Sequence, residues 1–454
     1  METDETISTP RWSVPLVVLV SASVITAVSL GVRSTFGLFQ DPVIDELGLP
    51  RAPFALAIAL QAIVWGITQP IAGAIADRFG AARVIIVGAI IYAVGIVVLA
   101  ASDGEAGLLA FGVITGIATG AASFAVVLAS VGRMASPERR SIALGIVTAM
   151  GSIGQFVLVP LARVLLDRTD WRITLIVFAV IAAAMTLFTP TLRGNAADHA
   201  PAEAPAGRPL REDLRRAAHS RNYQLLNAAF FVCGFHVTFI ATHLPAYVGD
   251  LGVADSAGST ALALIGLFNV GGSLLVGVLG TRYRLTLILA TIYAARGVVI
   301  TAYVLLPPSP TTTIAFGAMI GVLWLSTVPP TSAIVAQLFG TANAGALFGI
   351  VFLSHQVGAF AGAWMGGVLA DSTGSYEAAW WTAVGLAAFA TLMQLLIDER
   401  REPEEPPPPR APRLAPAGAA AVVAVAGIAV TASAAAATAD DTAELPPAYH
   451  CSIS

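Results

Sequence analysis

Two arginines interrupt otherwise apolar stretches of this chain: Arg33 in GVRSTFGLF (31–39) and Arg296 in IYAARGVVI (292–300). A charge at the centre of a membrane helix costs at least about 2.5 kcal/mol, so it marks a functional candidate by default. A guanidinium can clamp a carboxylate through two parallel hydrogen bonds. The bland alternatives are that Arg33 snorkels outward or pairs with Asp41, and that Arg296 serves pairing or helix packing. Three histidines are embedded in apolar runs: His236, His243 and His355, the last followed by Gln356. His236 and His243 are two turns apart on one face, about 10.5 Å along a helix axis. No Asp or Glu falls mid-run, and only histidine titrates near neutrality. The three histidines are therefore the proton-coupling candidates, and a solute's own carboxylate on Arg33 is the alternative carrier of a proton. Gln61, Trp65 and Gln69 form a polar stripe at i, i+4, i+8. Thr115, Thr119 and Ser123 form another, opposite a ridge of Gly112, Gly116 and Gly120. Such ridges bring helices close, and the hydroxyls can bond back to their own backbone. Gln155, Asn269 and Trp324 complete the candidate contacts.

The composition says what must position them. The chain of 454 residues is 56% hydrophobic and 11% charged, with a mean hydropathy of +0.79. A soluble domain carries about 25% charge. The net charge of −4 argues against a nucleic-acid partner. Every basic side chain is arginine, which excludes Schiff-base and phosphate-loop lysine chemistry. Two cysteines, Cys233 and Cys451, make no disulfide framework. No catalytic residue, metal cluster or cofactor motif stands out, so an enzyme is not expected. The first apolar run is too long for a signal peptide.

Runs of about 20 apolar residues span a bilayer. Twelve are predicted, at 14–39, 52–76, 82–101, 106–131, 141–166, 171–192, 223–248, 257–280, 285–306, 312–336, 343–370 and 376–397. The expected fold is an all-α membrane protein of two six-helix bundles, 14–192 and 223–397. A short tail (1–13) precedes them, a polar linker (193–222) joins them, and a Pro/Ala-rich tail (398–454) follows. Within that tail 414–439 is long enough for an extra span, but alanine adds little insertion free energy. Arginines concentrate at the linker side of the spans, which by the positive-inside rule places the N-terminus and linker in the cytoplasm.

Between the second and third runs stands GAIADRFGAARV (73–84). It resembles the signature of the major facilitator superfamily at Gly73, Ile75, Asp77, Arg78, Gly80 and Arg83, with a weaker echo at 277–289. Gly73 is expected to let helices 2 and 11 approach, with Asp77 at a neighbouring helix N-terminus, as a gating contact. FGLFQDP, SIGQFVLVPLARVLLDRTDWR (152–172), FVCGFHVTFIATHLPAYVGDLG (231–252) and SHQVGAFAGAWMGGVLADSTGSY (354–376) resemble bacterial monocarboxylate-transporter-like members, related to oxalate/formate carriers. The resemblance implies helices 1, 4, 7 and 10 around a central cavity and a small organic anion carried by alternating access across a bacterial inner membrane. It matches a basic residue at Arg33. The Asp and Arg that those carriers place in helix 8 are replaced by Asn269 and Ser273. A monomer without cofactor is expected, with protons as a candidate coupling ion. A carrier of a neutral drug-like or sugar-like solute is the alternative, and a non-transporting receptor or scaffold a remote one.

Overall fold

The computed structural model describes residues 16–122, 124–134, 140–192, 209–340 and 343–399. Ser123, the side chain of Asp77, residues 1–15, 193–208 and the tail from 400 on, with 414–439, lie outside the described residues. The helices are α1 (Leu16–Thr35), α2 (Gln40–Leu47), α3 (Arg51–Phe79), α4 (Ala81–Ala100), α5 (Glu105–Ala121), α6 (Phe124–Met134), α7 (Arg140–Leu166), α8 (Trp171–Ala184), α9 (Leu210–His219), α10 (Arg221–Asp250), α11 (Asp255–Leu279), α12 (Leu285–Leu305), α13 (Pro310–Leu323), α14 (Val328–Phe339), α15 (Ala344–Thr373) and α16 (Glu377–Leu395). Among the described residues, eleven helical segments are long and apolar enough to cross a membrane, and a shorter apolar one covers Trp171–Leu187. Together they occupy the twelve predicted spans.

Four spans are less regular than their hydropathy suggests, span 6 among them, which ends in 3-10 turns at Met185–Leu187 and Thr189–Leu192. Span 1 tightens into a 3-10 turn at Phe36–Phe39 before α2, because Gly37 passes against the Ala241 carbonyl of α10 so closely that a Cβ would collide. Span 4 is interrupted between α5 and α6. Span 10, expected as one helix over 312–336, is broken at 324–327. Pro329 and Pro330 follow the break directly. Neither has an N–H to donate, and each ring clashes with the carbonyl four residues back.

In the first half α1 packs on α7, α3 on α5, and α4 on α5 and α8; in the second, α10 packs on α15, α11 on α13, and α12 on α16. The glycine ridge does what its spacing predicts: Gly112, Gly116 and Gly120 face Ala57, Val64 and Thr68 of α3 at backbone contact. The halves meet through α3 against α15, α7 against α11, and the 3-10 turn against α10.

These junctions are tight at one end only. Near Asp41, a Cβ on Gly367 would lie 3.3 Å from the Arg51 carbonyl, and at mid-height one on Gly66 would lie 3.0 Å from Gln356. Towards the linker, Gly73, Gly345 and Gly349 have open space. The expected approach of helices 2 and 11 at Gly73 is therefore absent in this state. The two helices have parted there, and the cleft between the halves opens to the linker side.

Candidate functional site

Arg33 occupies the last turn of α1. Among the described residues it makes no ion pair and no hydrogen bond, and its Nε is buried without a partner. Asp41, the acid nearest in sequence on that side, lies by Arg51 instead (3.9 Å). The Arg33 guanidinium stands over the Trp65 ring at 5.1 Å. That indole is fixed by its Nε1–H, which donates to Gln69 Oε1 at 2.9 Å, and by an edge contact with Phe352 of α15 at 5.5 Å. Below Arg33, Phe36 wedges edge-on against Phe111 at 5.0 Å. Of the stripe Gln61, Trp65, Gln69, the indole and Gln69 thus stand beside the cation, while Gln61 is buried against α5.

Gln61 donates from Nε2 to Thr115 Oγ1 at 2.9 Å, which leaves Gln61 Oε1 buried and unpartnered. Across the junction, Thr238 Oγ1 of α10 is also buried without a partner. Arg33, Gln61, Thr238 and Thr242 line a cavity of about 10 Å³ with Phe36, Gly37, Ile58 and Ala241. That is room for one water. Thr115 and Thr119 bond back to carbonyls one turn earlier, at 2.7 and 2.6 Å.

The other candidates lie elsewhere. Arg296 is buried, and its Nε and Nη2 donate to the Leu323 carbonyl at 3.1 and 2.6 Å, with Nη2 also on the Trp324 carbonyl. It caps the broken end of α13, whose orphan carbonyls need donors. Asn269 fastens the same break from the other side. Its Oδ1 accepts from Leu325 N at 2.9 Å, and its Nδ2 donates to Ser152 Oγ of α7 at 2.8 Å. Arg296, Asn269 and Trp324 thus converge on one feature, readable beforehand only in the Pro329–Pro330 pair. Gln155 reaches across the halves to the Leu262 carbonyl at 2.7 Å.

His236 and His243 do share a face, but it looks into the second half. His236 Nε2 lies 2.8 Å from the Ala383 carbonyl of α16, and His243 Nε2 lies 2.7 Å from the Ala363 carbonyl of α15. Carbonyls accept, so both Nε2 atoms carry the proton. His355 stacks on Phe352 and bonds Gln356 Oε1 at 3.1 Å, while Gln356 Nε2 stays buried and unpartnered next to the α3–α15 junction. Of the signature residues, Arg78 and Arg83 are exposed at the linker end of α3 and in α4.

The Asp41-side mouth is sealed by polar contacts that the sequence reading did not anticipate. Arg51 binds Asp250 through both Nη atoms at 2.6 Å and lies over the Tyr376 ring at 5.1 Å. Gln40 Nε2 donates to the Tyr376 hydroxyl at 2.9 Å. Arg163 of α7 pairs with Asp255 at 3.1 Å. A pair of halves closed at one mouth and parted at the other, around a buried cation, is the geometry of a carrier.

A model of the Major Facilitator Superfamily matches residues 22–328 and 297–439. The chain belongs to the Major Facilitator Superfamily. It is therefore a multi-pass membrane transporter rather than an enzyme. The MFS-type transporter YcxA of Bacillus subtilis is 26% identical, over 82% of this chain and 93% of its own length. Monocarboxylate transporter 13 of Bos taurus is 24% identical, over 80% of this chain and 84% of its own. Among solved structures, the nucleoside transporter NupG superposes with a TM-score of 0.68 at 13% identity, covering 84% of this chain and 99% of NupG. A D-xylose-proton symporter gives 0.66 at 12%, covering 84% and 97%. At such identities these two share the fold.

Proposed function

We propose that this superfamily member carries a small organic anion, of the monocarboxylate kind, by alternating access, and that Arg33 takes the solute's carboxylate. The supporting observation is the isolation of Arg33: a guanidinium inside a span, held in place by Trp65, with no acid beside it among the described residues. Its free N–H donors match a carboxylate's paired oxygens. The half-buried Gln69 supplies an amide for the rest of a small acid. The likeness to monocarboxylate transporter 13 favours the same reading. Arginine placement puts the linker, and hence the open cleft, in the cytoplasm of a bacterial inner membrane, so the state described is inward-facing.

A neutral solute is the second reading, favoured by the amides and hydroxyls around the cation. Counterflow of labelled lactate, pyruvate, oxalate and larger aromatic acids into proteoliposomes, beside a sugar and a nucleoside, separates the two. Saturable exchange of an acid that is lost in Arg33→Ala is the expected outcome. Exchange of the neutral solutes alone would overturn the anion reading. Repeating the assay under an imposed pH gradient, with His236→Ala and His355→Ala, shows whether protons are coupled and whether a histidine carries them.

A further inference from the structure

Two stretches far apart in the chain share one pattern, Gly-x-(Ile/Leu)-Ala-Asp-x-x-Gly: GAIADRFG at 73–80 and GVLADSTG at 367–374. Each ends a long helix. The first closes α3 and the second closes α15, in both cases on a glycine with positive φ, +92° at Gly80 and +70° at Gly374. In each, the glycine N–H returns to the carbonyl of the alanine four residues back at 2.9 Å. Each aspartate stands three residues before its glycine. The helices α3 and α15 run antiparallel against one another, so the end of each lies beside the beginning of the other.

At the Asp41-side mouth that placement is in use. Asp371 accepts from the backbone N–H of Arg51 at 3.0 Å and of Ala52 at 2.7 Å, the first two residues of α3. A carboxylate on those orphan donors satisfies them and meets the positive end of the helix dipole. The two helices belong to opposite halves, so this contact holds the mouth shut. At the linker end, α3 and α15 have parted, as the open space at Gly73 and Gly345 shows.

We infer that Asp371 is a positioning residue of the transport cycle, a latch on the Asp41-side mouth that works against the linker-side gating contact which the superfamily signature implies for Asp77. Rocking the halves trades one carboxylate–helix contact for the other. The two residues therefore bias the same equilibrium in opposite directions. This rests on the alternating-access part of the reading above and not on the solute.

The test needs no solute, so it fails or succeeds independently of the anion reading. Spin labels go on Glu105→Cys and Thr311→Cys, exposed positions at the starts of α5 and α13 on the Asp41 side, in the full chain with its native cysteines replaced by serine. Pulsed electron resonance in lipid nanodiscs reads the distance across the mouth. Without substitution at 371 the short distance dominates. Asp371→Asn raises the ratio of long to short distances about tenfold, a change within the range of two charge-assisted bonds at a helix end. Adding Asp77→Asn to Asp371→Asn returns the ratio towards its starting value, and Asp371→Glu keeps the short distance. Should Asp371→Asn fail to elute as a folded species, Asp371→Ser, which keeps a neutral cap, shows the same shift at smaller size. An unchanged distribution in a folded Asp371 variant, even one with lowered thermal stability, overturns the inference. So does a further rise in long distances when Asp77→Asn is added.

Discussion

A guanidinium at membrane depth survives only where something offsets its lost hydration. For Arg33 the Trp65 face contributes about 1–2 kcal/mol, against a minimum insertion cost of about 2.5 kcal/mol. The remainder is what a passenger's carboxylate would offset on the proposed reading. Arg296 differs, because its Nε and Nη2 donate to the carbonyls of Leu323 and Trp324, and only Nη1 stays buried without a partner. Arg296→Met is expected to destabilise the protein by about 3 kcal/mol, read as a lowered Tm in detergent, while KM for the solute stays unchanged. In the sequence each is a lone arginine in an apolar run, and only Arg33 is matched by the family resemblance. What separates them is the partner opposite, and that partner comes from another helix. The same holds for His236 and His243: their spacing gave a common face, but not that α15 and α16 would cover it.

At the scale of elements, most of the fold was legible, because membrane spans are set by length and hydropathy within one segment. The glycine ridge of α5 was legible too, since three small residues one turn apart have few other uses. Gly112→Leu would drive a side chain into the Ala57 carbonyl of α3. Overpacking of this kind costs about 3 kcal/mol or more, and the expected outcome is loss of monodisperse protein on size exclusion. Gly145, with open space around it, accepts leucine without that loss. The break in span 10 escaped notice, because hydropathy averages over it; only Pro329 and Pro330 betray it. Arg296 and Asn269 stabilise a discontinuity that places free backbone groups at mid-membrane, a recurrent feature of transporter sites.

At the scale of the whole molecule, the described state is one of at least two that a carrier needs. Spans 5 and 8 hold the halves together: the position of a Cβ on Gly266 is 3.0 Å from the Gln155 Cβ, and disulfides need about 3.5–4.5 Å, a gap small shifts supply. Gly266→Cys with Gln155→Cys is expected to cross-link on oxidation and to stop counterflow, with recovery on reduction. The sealed mouth at Arg51, Asp250 and Asp371 and the parted linker end are properties of contacts between halves, which no single stretch of sequence displays. The most direct measurement is counterflow of the best-exchanged acid and of its carboxamide, for the wild type and Arg33→Gln, in proteoliposomes of equal protein content. The wild type should exchange the acid and not the amide, and Arg33→Gln should lose at least about a hundredfold in kcat/KM for the acid. Undiminished exchange of the acid by folded Arg33→Gln, or equal exchange of acid and amide by the wild type, would contradict the assignment of Arg33 to the passenger's negative charge.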